Sequence, residues 1–331
     1  MTQISSAEIS VIIVNYNTAD LVLEGIQSVL ERDHGGRLVD VHVVDNASPN
    51  GDGAALEAAI AEKGWGRRVT LYAETINHGF GRGNNRVLHT LAARSTPPEF
   101  VFLLNPDARL ENEAIDTLAF FIAEHPKIGA AGARIEKPGG IPVIAAFRFP
   151  VMLSEFSKGI SFGPISRMLR KWDVPLGADL PTGQVGWVAG AAVMFRFSAL
   201  LETGFFDPDY FLYYEEVDLM KKLDRHGWGI WYVAEAQVIH AEGAATGVKS
   251  GDVAPKRRPA YWYESWRLYF HKNHGRAYAL ASGGLWMLGS FMNTAISRLR
   301  RRQPAAPSHF VHDFWSMGMR PLLGLKARPY E

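Results

Sequence analysis

The stretch Phe100-Val-Phe-Leu-Leu-Asn-Pro-Asp107 decides the fold. Five apolar residues without alternation predict a strand buried on both faces, as in the parallel sheet of an α/β protein. Pro106 has no N–H to give a sheet ladder, so the strand ends there and leaves Asp107 just past its carboxyl end. Open α/β sheets bind their ligands in the crevice beyond those ends. A carboxylate in that place can hold a divalent cation, and the cation a diphosphate. Asn-Pro-Asp is equally good turn chemistry, so this stretch alone leaves both readings open.

Outward from it, residues 1–135 alternate strand and helix patterns. Ile9-Ser-Val-Ile-Ile-Val14 reads as a strand, and Thr18 as the cap of a helix reaching about Leu30. Val41–Val44 is a second strand, ending in Asp45-Asn-Ala-Ser48, followed by a helix around Ala54–Glu62 and a strand at Val69–Ala73. The segment Asn77-His-Gly-Phe-Gly-Arg-Gly-Asn-Asn85 leads into a helix through Ala93. After Asp107 come a helix near Glu111–Glu124 and a strand near Ile128–Ile135. Repeated βα units with short connections predict a doubly wound, mostly parallel sheet. From Glu136 to Gln184 the pattern dissolves into loops and short helices expected to cover a binding cleft. Regular structure resumes with Val185–Phe197, a helix from about Tyr214 and a strand at Gly229–His240. A mobile loop is expected over Glu242–Pro259, then helices over Tyr261–His274 and Ala277–Arg301.

Composition narrows the classes. The 331 residues are 47% hydrophobic and 21% charged, ordinary for a globular protein with a large core. Lysine plus arginine (35) balance aspartate plus glutamate (34), which gives no bulk charge for nucleic acid. Zero cysteines exclude disulfides, thiolate metal sites and cysteine nucleophiles. The amino terminus lacks the basic and then apolar pattern of a signal peptide, so the catalytic part is read as cytoplasmic.

Several segments together carry a resemblance: Val14-Asn-Tyr-Asn17, Val44-Asp-Asn-Ala-Ser48, Asn77-His-Gly-Phe-Gly81 with Gly83-Asn-Asn85, Leu104-Asn-Pro-Asp107, Val188-Ala-Gly-Ala191, Tyr213-Tyr-Glu-Glu-Val-Asp-Leu219 and Val238-Ile-His240. In this order they resemble inverting family-2 glycosyltransferases of the A-type nucleotide-diphospho-sugar fold, nearest to bacterial rhamnosyltransferase-like members. The resemblance covers about residues 9–275, a catalytic domain with a nucleotide-binding half (1–107) and an acceptor and catalytic half (108–275). Residues 276–331 form a carboxyl-terminal helical region and tail.

The resemblance implies roles residue by residue. Asp45 accepts from the imide N–H of uracil or thymine, and Asn15, Tyr16 and Asn17 line the base pocket. Three glycines, Gly79, Gly81 and Gly83, let backbone near the phosphates beside Asn77 and Asn84, at a helix amino terminus that favours anions. Asp107 matches the second carboxylate of the Asp-x-Asp metal motif; the first position here is Asn105, a departure. One carboxylate suffices for Mg²⁺ or Mn²⁺ if diphosphate and water complete the shell. His240 matches a histidine that joins the metal, and imidazole leans the choice toward Mn²⁺. Trp187 and Gly190 match positions near the sugar, although Trp187 also reads as core. The base is expected at Glu216, with Glu215 as the fallback, because the family commonly has Glu-Asp where this chain has Glu-Glu. An acidic first helical turn that complements the helix dipole explains such acids equally simply.

Residues 277–297 carry no charge and run into Arg298-Leu-Arg-Arg-Arg302. Their length suits a membrane span but Gly283, Gly284, Ser290, Asn293 and Thr294 interrupt it. Ala281, Leu285, Leu288, Met292, Ile296 and Leu299 trace one helical stripe, which packs on the catalytic domain or lies in a membrane interface beside anionic headgroups. The tail cluster Phe310–Trp315 docks on this surface or on a partner chain. The leading expectation is a metal-dependent transferase taking a sugar from a dTDP or UDP donor, with dTDP-rhamnose the first choice. Its acceptor would be a cell-surface glycan or a polyprenyl-diphosphate-linked saccharide, as in O-antigen synthesis. A homo-oligomer stays open. A silent sugar-nucleotide-binding protein is the alternative, kept by Asn105 and Glu216. A nicotinamide-dependent oxidoreductase fails because no glycine fingerprint follows the first strand.

Overall fold

The computed structural model describes residues 8–241 and 257–329. Of the loop expected over Glu242–Pro259, residues 242–256 lie outside the described ones. The chain divides into two compact units that interleave along the sequence. The first takes in 1–147, 176–208 and 219–250; the second takes in 148–175, 209–218 and 251–331.

The first unit is the doubly wound α/β body with a mostly parallel sheet. Strands β1 (Ile9–Asn15), β2 (Val39–Asp45), β3 (Val69–Ala73) and β4 (Phe100–Leu104) run parallel in the order β3-β2-β1-β4. The fully buried burial pattern of β1 and β4 is that of strands covered on both faces. Ile9, Val11 and Ile13 of β1 join the core that includes α1 (Ala19–Leu30), α2 (Asp52–Glu62) and α4 (Ala114–Glu124). On the opposite face, Val14 meets α3 (Gly79–Ala92), where a Cβ added to Gly83 would stand 2.9 Å from Val14 Cγ1. Beyond β4 the strand Ala192–Arg196 enters antiparallel, between β4 and β6 (Ile128–Lys137). The strand Gly229–His240 then pairs parallel with β6, and its end pairs antiparallel with β5 (Ala108–Leu110). The regular structure expected over Val185–Phe197 comprises two strands, Trp187–Val188 and Ala192–Arg196, parted by a turn at Gly190–Ala191.

The second unit is helical. Helix α5 (Met152–Ile160) crosses the long helix Arg276–Leu299 at a backbone-to-backbone approach. A Cβ on Gly159 would lie 2.5 Å from the Trp286 carbonyl oxygen, and one on Gly289 would lie 2.7 Å from Ile160 N. The packed face of the long helix is therefore small and polar, with Ser282, Gly283, Gly289, Ser290 and Asn293 around the single large residue Trp286. The apolar stripe, expected either to pack or to lie in a membrane interface, does not supply this face: Ala281, Leu288 and Leu299 are exposed and Leu285, Met292 and Ile296 only half-buried. Close approach explains this, because leucine would hold the two helices too far apart. The tail cluster does dock, with Phe310 and Phe314 buried and their rings 4.7 and 5.0 Å from Trp286. No helix among the described residues is long and apolar enough to cross a membrane.

Candidate active site

At the carboxyl ends of β1 and β2 the side chains form one hydrogen-bonded knot. In-register pairing sets Asn15 beside Asp45. Fully buried Asn15 donates through Nδ2 to Asp45 Oδ1 (2.8 Å), Ser48 Oγ (3.2 Å) and Asp52 Oδ2 (3.0 Å). Its Oδ1 accepts from the Thr18 amide and hydroxyl (3.2 and 2.8 Å). The cap expected from Thr18 thus comes from elsewhere: the Ala19 amide donates to the Asp52 carboxylate at 3.0 Å. Asn15 thereby organises this end of the sheet. Tyr16 stands 37% exposed, and Asn17 takes a left-handed φ of 57° with its amide donating to Ser48 Oγ.

Asp45 is buried, and Ser48 Oγ donates to its Oδ1 at 2.6 Å. The neighbouring Asn46, which sequence reasoning passed over, clamps the glycine-rich segment. Its Nδ2 donates to Asn77 Oδ1 (3.0 Å) and the Gly79 carbonyl (3.1 Å), and its Oδ1 accepts from the His78 amide (2.9 Å). The segment does not precede the helix; it is the first turns of α3. Gly79 has φ 77°, and Gly81 and Gly83 face Phe206 and Val14, where side chains would collide. Gly83 thus lets α3 approach β1, and Gly81 lets it approach Phe206. Asn84 is buried and donates to the Phe80 carbonyl, and its Oδ1 finds no hydrogen-bond partner among the described residues.

Past β4, Asn105, Asp107 and His240 come together from 133 and 135 residues apart. The antiparallel pairing of His240 with Ala108 delivers the imidazole. His240 Nε2 lies 2.9 Å from Asp107 Oδ1 and 3.3 Å from Asn105 Nδ2. The Asn105 amide N–H donates to the Ala191 carbonyl (2.8 Å), which fastens the Gly190–Ala191 turn beside this group. A single ring nitrogen facing both a carboxylate oxygen and an amide cannot serve both well as donor or acceptor. Carboxylate, imidazole and amide together are a donor set that suits a divalent ion of the Mn²⁺ type. Among the described residues no cluster of three or more His, Cys, Asp or Glu could hold a metal. An ion here would therefore need diphosphate or water oxygens besides Asp107 and His240. Trp187 is half-buried with its ring stacked on Phe147 at 4.0 Å, so one of its faces is already covered.

Glu215 and Glu216 open the helix Glu215–Arg225. The two residues before them, Tyr213 and Tyr214, both hold left-handed φ values of 70° and 67°. Bulky residues pay about 1–3 kcal/mol each for such backbone, a strain that concentrates at functional sites. Glu215 is buried and Glu216 half-buried, and Oε2 of each has no hydrogen-bond partner among the described residues. Burial first, and then the Glu216 charge, raise the Glu215 pKa well above the ordinary carboxylate range. Burial raises that of Glu216 too, against the hydrogen bonds from backbone amides at the helix start. The third acid of the turn differs: Asp218 accepts from Tyr210 Oη (3.3 Å) and Asn273 Nδ2 (2.6 Å). Dipole complementation explains the position of all three acids, and Asp218 is set apart by the two side-chain hydrogen bonds that its Oδ1 accepts.

Residues 10–200 match the family "Glycosyl transferase family 2". The chain is 30% identical over 220 residues to the N-acetylglucosaminyl-diphospho-decaprenol L-rhamnosyltransferase of Mycobacterium tuberculosis, covering 64% of this chain and 69% of that one. It is 25% identical to the rhamnosyltransferase WbbL of Escherichia coli over 49% of this chain and 61% of that one. Among solved structures, the mannosyltransferase PcManGT of Pyrobaculum calidifontis, in complex with GDP-Man and Mn²⁺, superposes with a TM-score of 0.54. The identity is 18%, and the match covers 89% of this chain and 76% of that one. That likeness supports the A-type fold. The chain belongs to glycosyl transferase family 2, as a bacterial rhamnosyltransferase-like glycosyltransferase.

Proposed function

We propose that the protein is an inverting, metal-dependent rhamnosyltransferase that takes L-rhamnose from dTDP-rhamnose and delivers it to a hydroxyl of a lipid-linked saccharide. The observation that carries this reading is the pair Glu215 and Glu216, buried, poorly solvated and set behind two strained tyrosines. A carboxylate of raised pKa is a stronger base, as deprotonation of an alcohol requires. Glu216 takes the hydroxyl proton while the acceptor oxygen bonds to the anomeric carbon. The bond to the diphosphate breaks in the same displacement, inverts the centre, and leaves its electron pair on the phosphate oxygen.

In the first unit, Asp45 and the Asn15–Asn17 turn receive the pyrimidine, and the Asn46-clamped start of α3 presents its amides toward the phosphates. Asp107 and His240 would hold Mn²⁺ or Mg²⁺, which neutralises charge on the departing diphosphate. The names of the relatives support the sugar and the acceptor class, and Mn²⁺ in the mannosyltransferase complex supports the ion. The half-exposed stripe Leu285, Leu288, Met292 and Ile296, with Phe291 70% and Leu299 87% exposed beside Arg298–Arg302, supports a peripheral lipid contact.

Calorimetric titration with dTDP, UDP and GDP, each with Mn²⁺, Mg²⁺ or chelator, tests the donor part. The expected result is metal-dependent binding of dTDP, abolished in Asp107→Ala. No binding of any nucleotide diphosphate to folded protein overturns the reading.

A further inference from the structure

Two cations in the second unit share one pair of tryptophans. The Lys158 ammonium lies 4.1 Å from the ring centre of Trp286 and 5.2 Å from that of Trp262. The Arg258 guanidinium lies 3.9 Å from the Trp262 centre and 5.8 Å from that of Trp286. The residues are a hundred positions apart in sequence, on α5 and just before the helix Ala260–His274. Cation–π contact stabilises each by about 0.5–2 kcal/mol, but it does not account for two like charges held over the same rings.

Glu155, one helical turn before Lys158, is an acid that acts on both cations. It is buried, and its Oε2 accepts from Trp266 Nε1 at 2.9 Å. Lys158 still reaches solvent. Even so, the protein packed around it, together with the Arg258 charge, pulls its pKa down to about 8 against the pull of Glu155. The Arg258 charge also reaches Tyr213 and Tyr214, the two strained residues that introduce Glu215 and Glu216. Within this one unit, a cation pair is thus held by aromatic rings, and one of its charges reaches the tyrosines that precede the acid pair.

We propose that Lys158 and Arg258, fixed on Trp262 and Trp286, form the seat for the diphosphate of the acceptor. The proposal rests on the lipid-linked acceptor of the preceding reading and adds where its anion is held. Diphosphate needs two cations at fixed separation, and guanidinium and ammonium supply a planar fork and a point charge. Tryptophan rings hold both charged heads in place, so little side-chain freedom is lost on binding. An anion here would settle the repulsion between the two cations.

Farnesyl diphosphate, farnesol and inorganic pyrophosphate, each titrated into the full chain in chelator, test the proposal with quenching of tryptophan fluorescence as readout. Chelator removes the metal-dependent route by which a donor site would bind diphosphate. Farnesyl diphosphate is expected to bind, and farnesol not. Lys158→Met and Arg258→Met should each weaken that binding by about tenfold or more, the loss of a charge-assisted hydrogen bond. Lys158→Arg should keep most of it, which separates lost charge from lost folding. Farnesyl diphosphate binding equally well to the Lys158→Met, Arg258→Met double variant, or not at all to the native chain, overturns the seat. Pyrophosphate binding as tightly as farnesyl diphosphate assigns the seat to free diphosphate and overturns its acceptor role. Manganese-dependent dTDP binding, measured on the same variants, is expected to be unchanged. Its absence in the native chain would sink the transferase reading instead.

Discussion

The amide-rich loops of the first unit and the acid pair of the second solve opposite problems. Every polar atom of the Asn15 side chain is engaged, by three acceptors and two donors, and Asn46 is similarly saturated. Such networks hold loops rigidly, because each broken bond strands a buried group at a cost of about 1–3 kcal/mol. Glu215 and Glu216 do the reverse: each keeps a buried oxygen without a hydrogen-bond partner among the described residues, behind left-handed backbone. Saturation suits a surface that must recognise a fixed base and phosphates. Deprivation suits a group whose task is to take a proton.

The largest effect should come from the deprived pair. Glu216→Gln should lower the transfer rate by about 10²–10⁴-fold while leaving the melting temperature and dTDP binding intact. If Glu215→Gln causes that loss and Glu216→Gln does not, the two acids exchange roles. The saturated side should break differently. Asn46→Ala strips partners from Asn77, His78 and Gly79. It should destabilise the chain by about 1–3 kcal/mol, seen in chemical denaturation, and weaken dTDP binding as well. Equal stability with normal binding would show that the clamp is incidental.

The smallest effect is in pH. Glu215 has a folded pKa above its unfolded value, so the folded chain binds more protons between the two. Stability should therefore fall as pH rises from the ordinary glutamate range toward the raised value. Glu215→Gln should remove that slope, with a higher melting temperature than the native chain at pH 8 and little difference at pH 4. The transfer rate should rise over the same interval, as the pair loses its proton. A native chain whose melting temperature and rate are both flat there would remove the contrast between the two regions.

Much of the first unit was legible because its information is local. Apolar runs without alternation marked the covered strands, and the strand Gly229–His240 has the bounds read from sequence. Proline after Asn105 placed Asp107 past β4, where it meets His240. The glycine-rich segment was legible as important but not in its purpose. Glycine permits both phosphate approach and tight packing, and only the fold shows that Val14 and Phe206 pack against Gly83 and Gly81. Trp187 was ambiguous for the same reason, until Phe147 was found across its ring.

By itself the sequence determined the parallel half of the sheet, the family motifs in order and the placement of acids at a helix start, since each follows from neighbours along the chain. Tertiary structure alone decided the rest. It put a small, polar face of the long helix against α5 and left the leucine stripe half-exposed, because backbone approach at Gly159 and Gly289 excludes larger side chains. It left one oxygen each of Glu215 and Glu216 without a hydrogen-bond partner among the described residues, and it brought Lys158 and Arg258 onto the same two tryptophans. Burial and long-range charge depend on what packs around a residue, and no spacing along the chain encodes that.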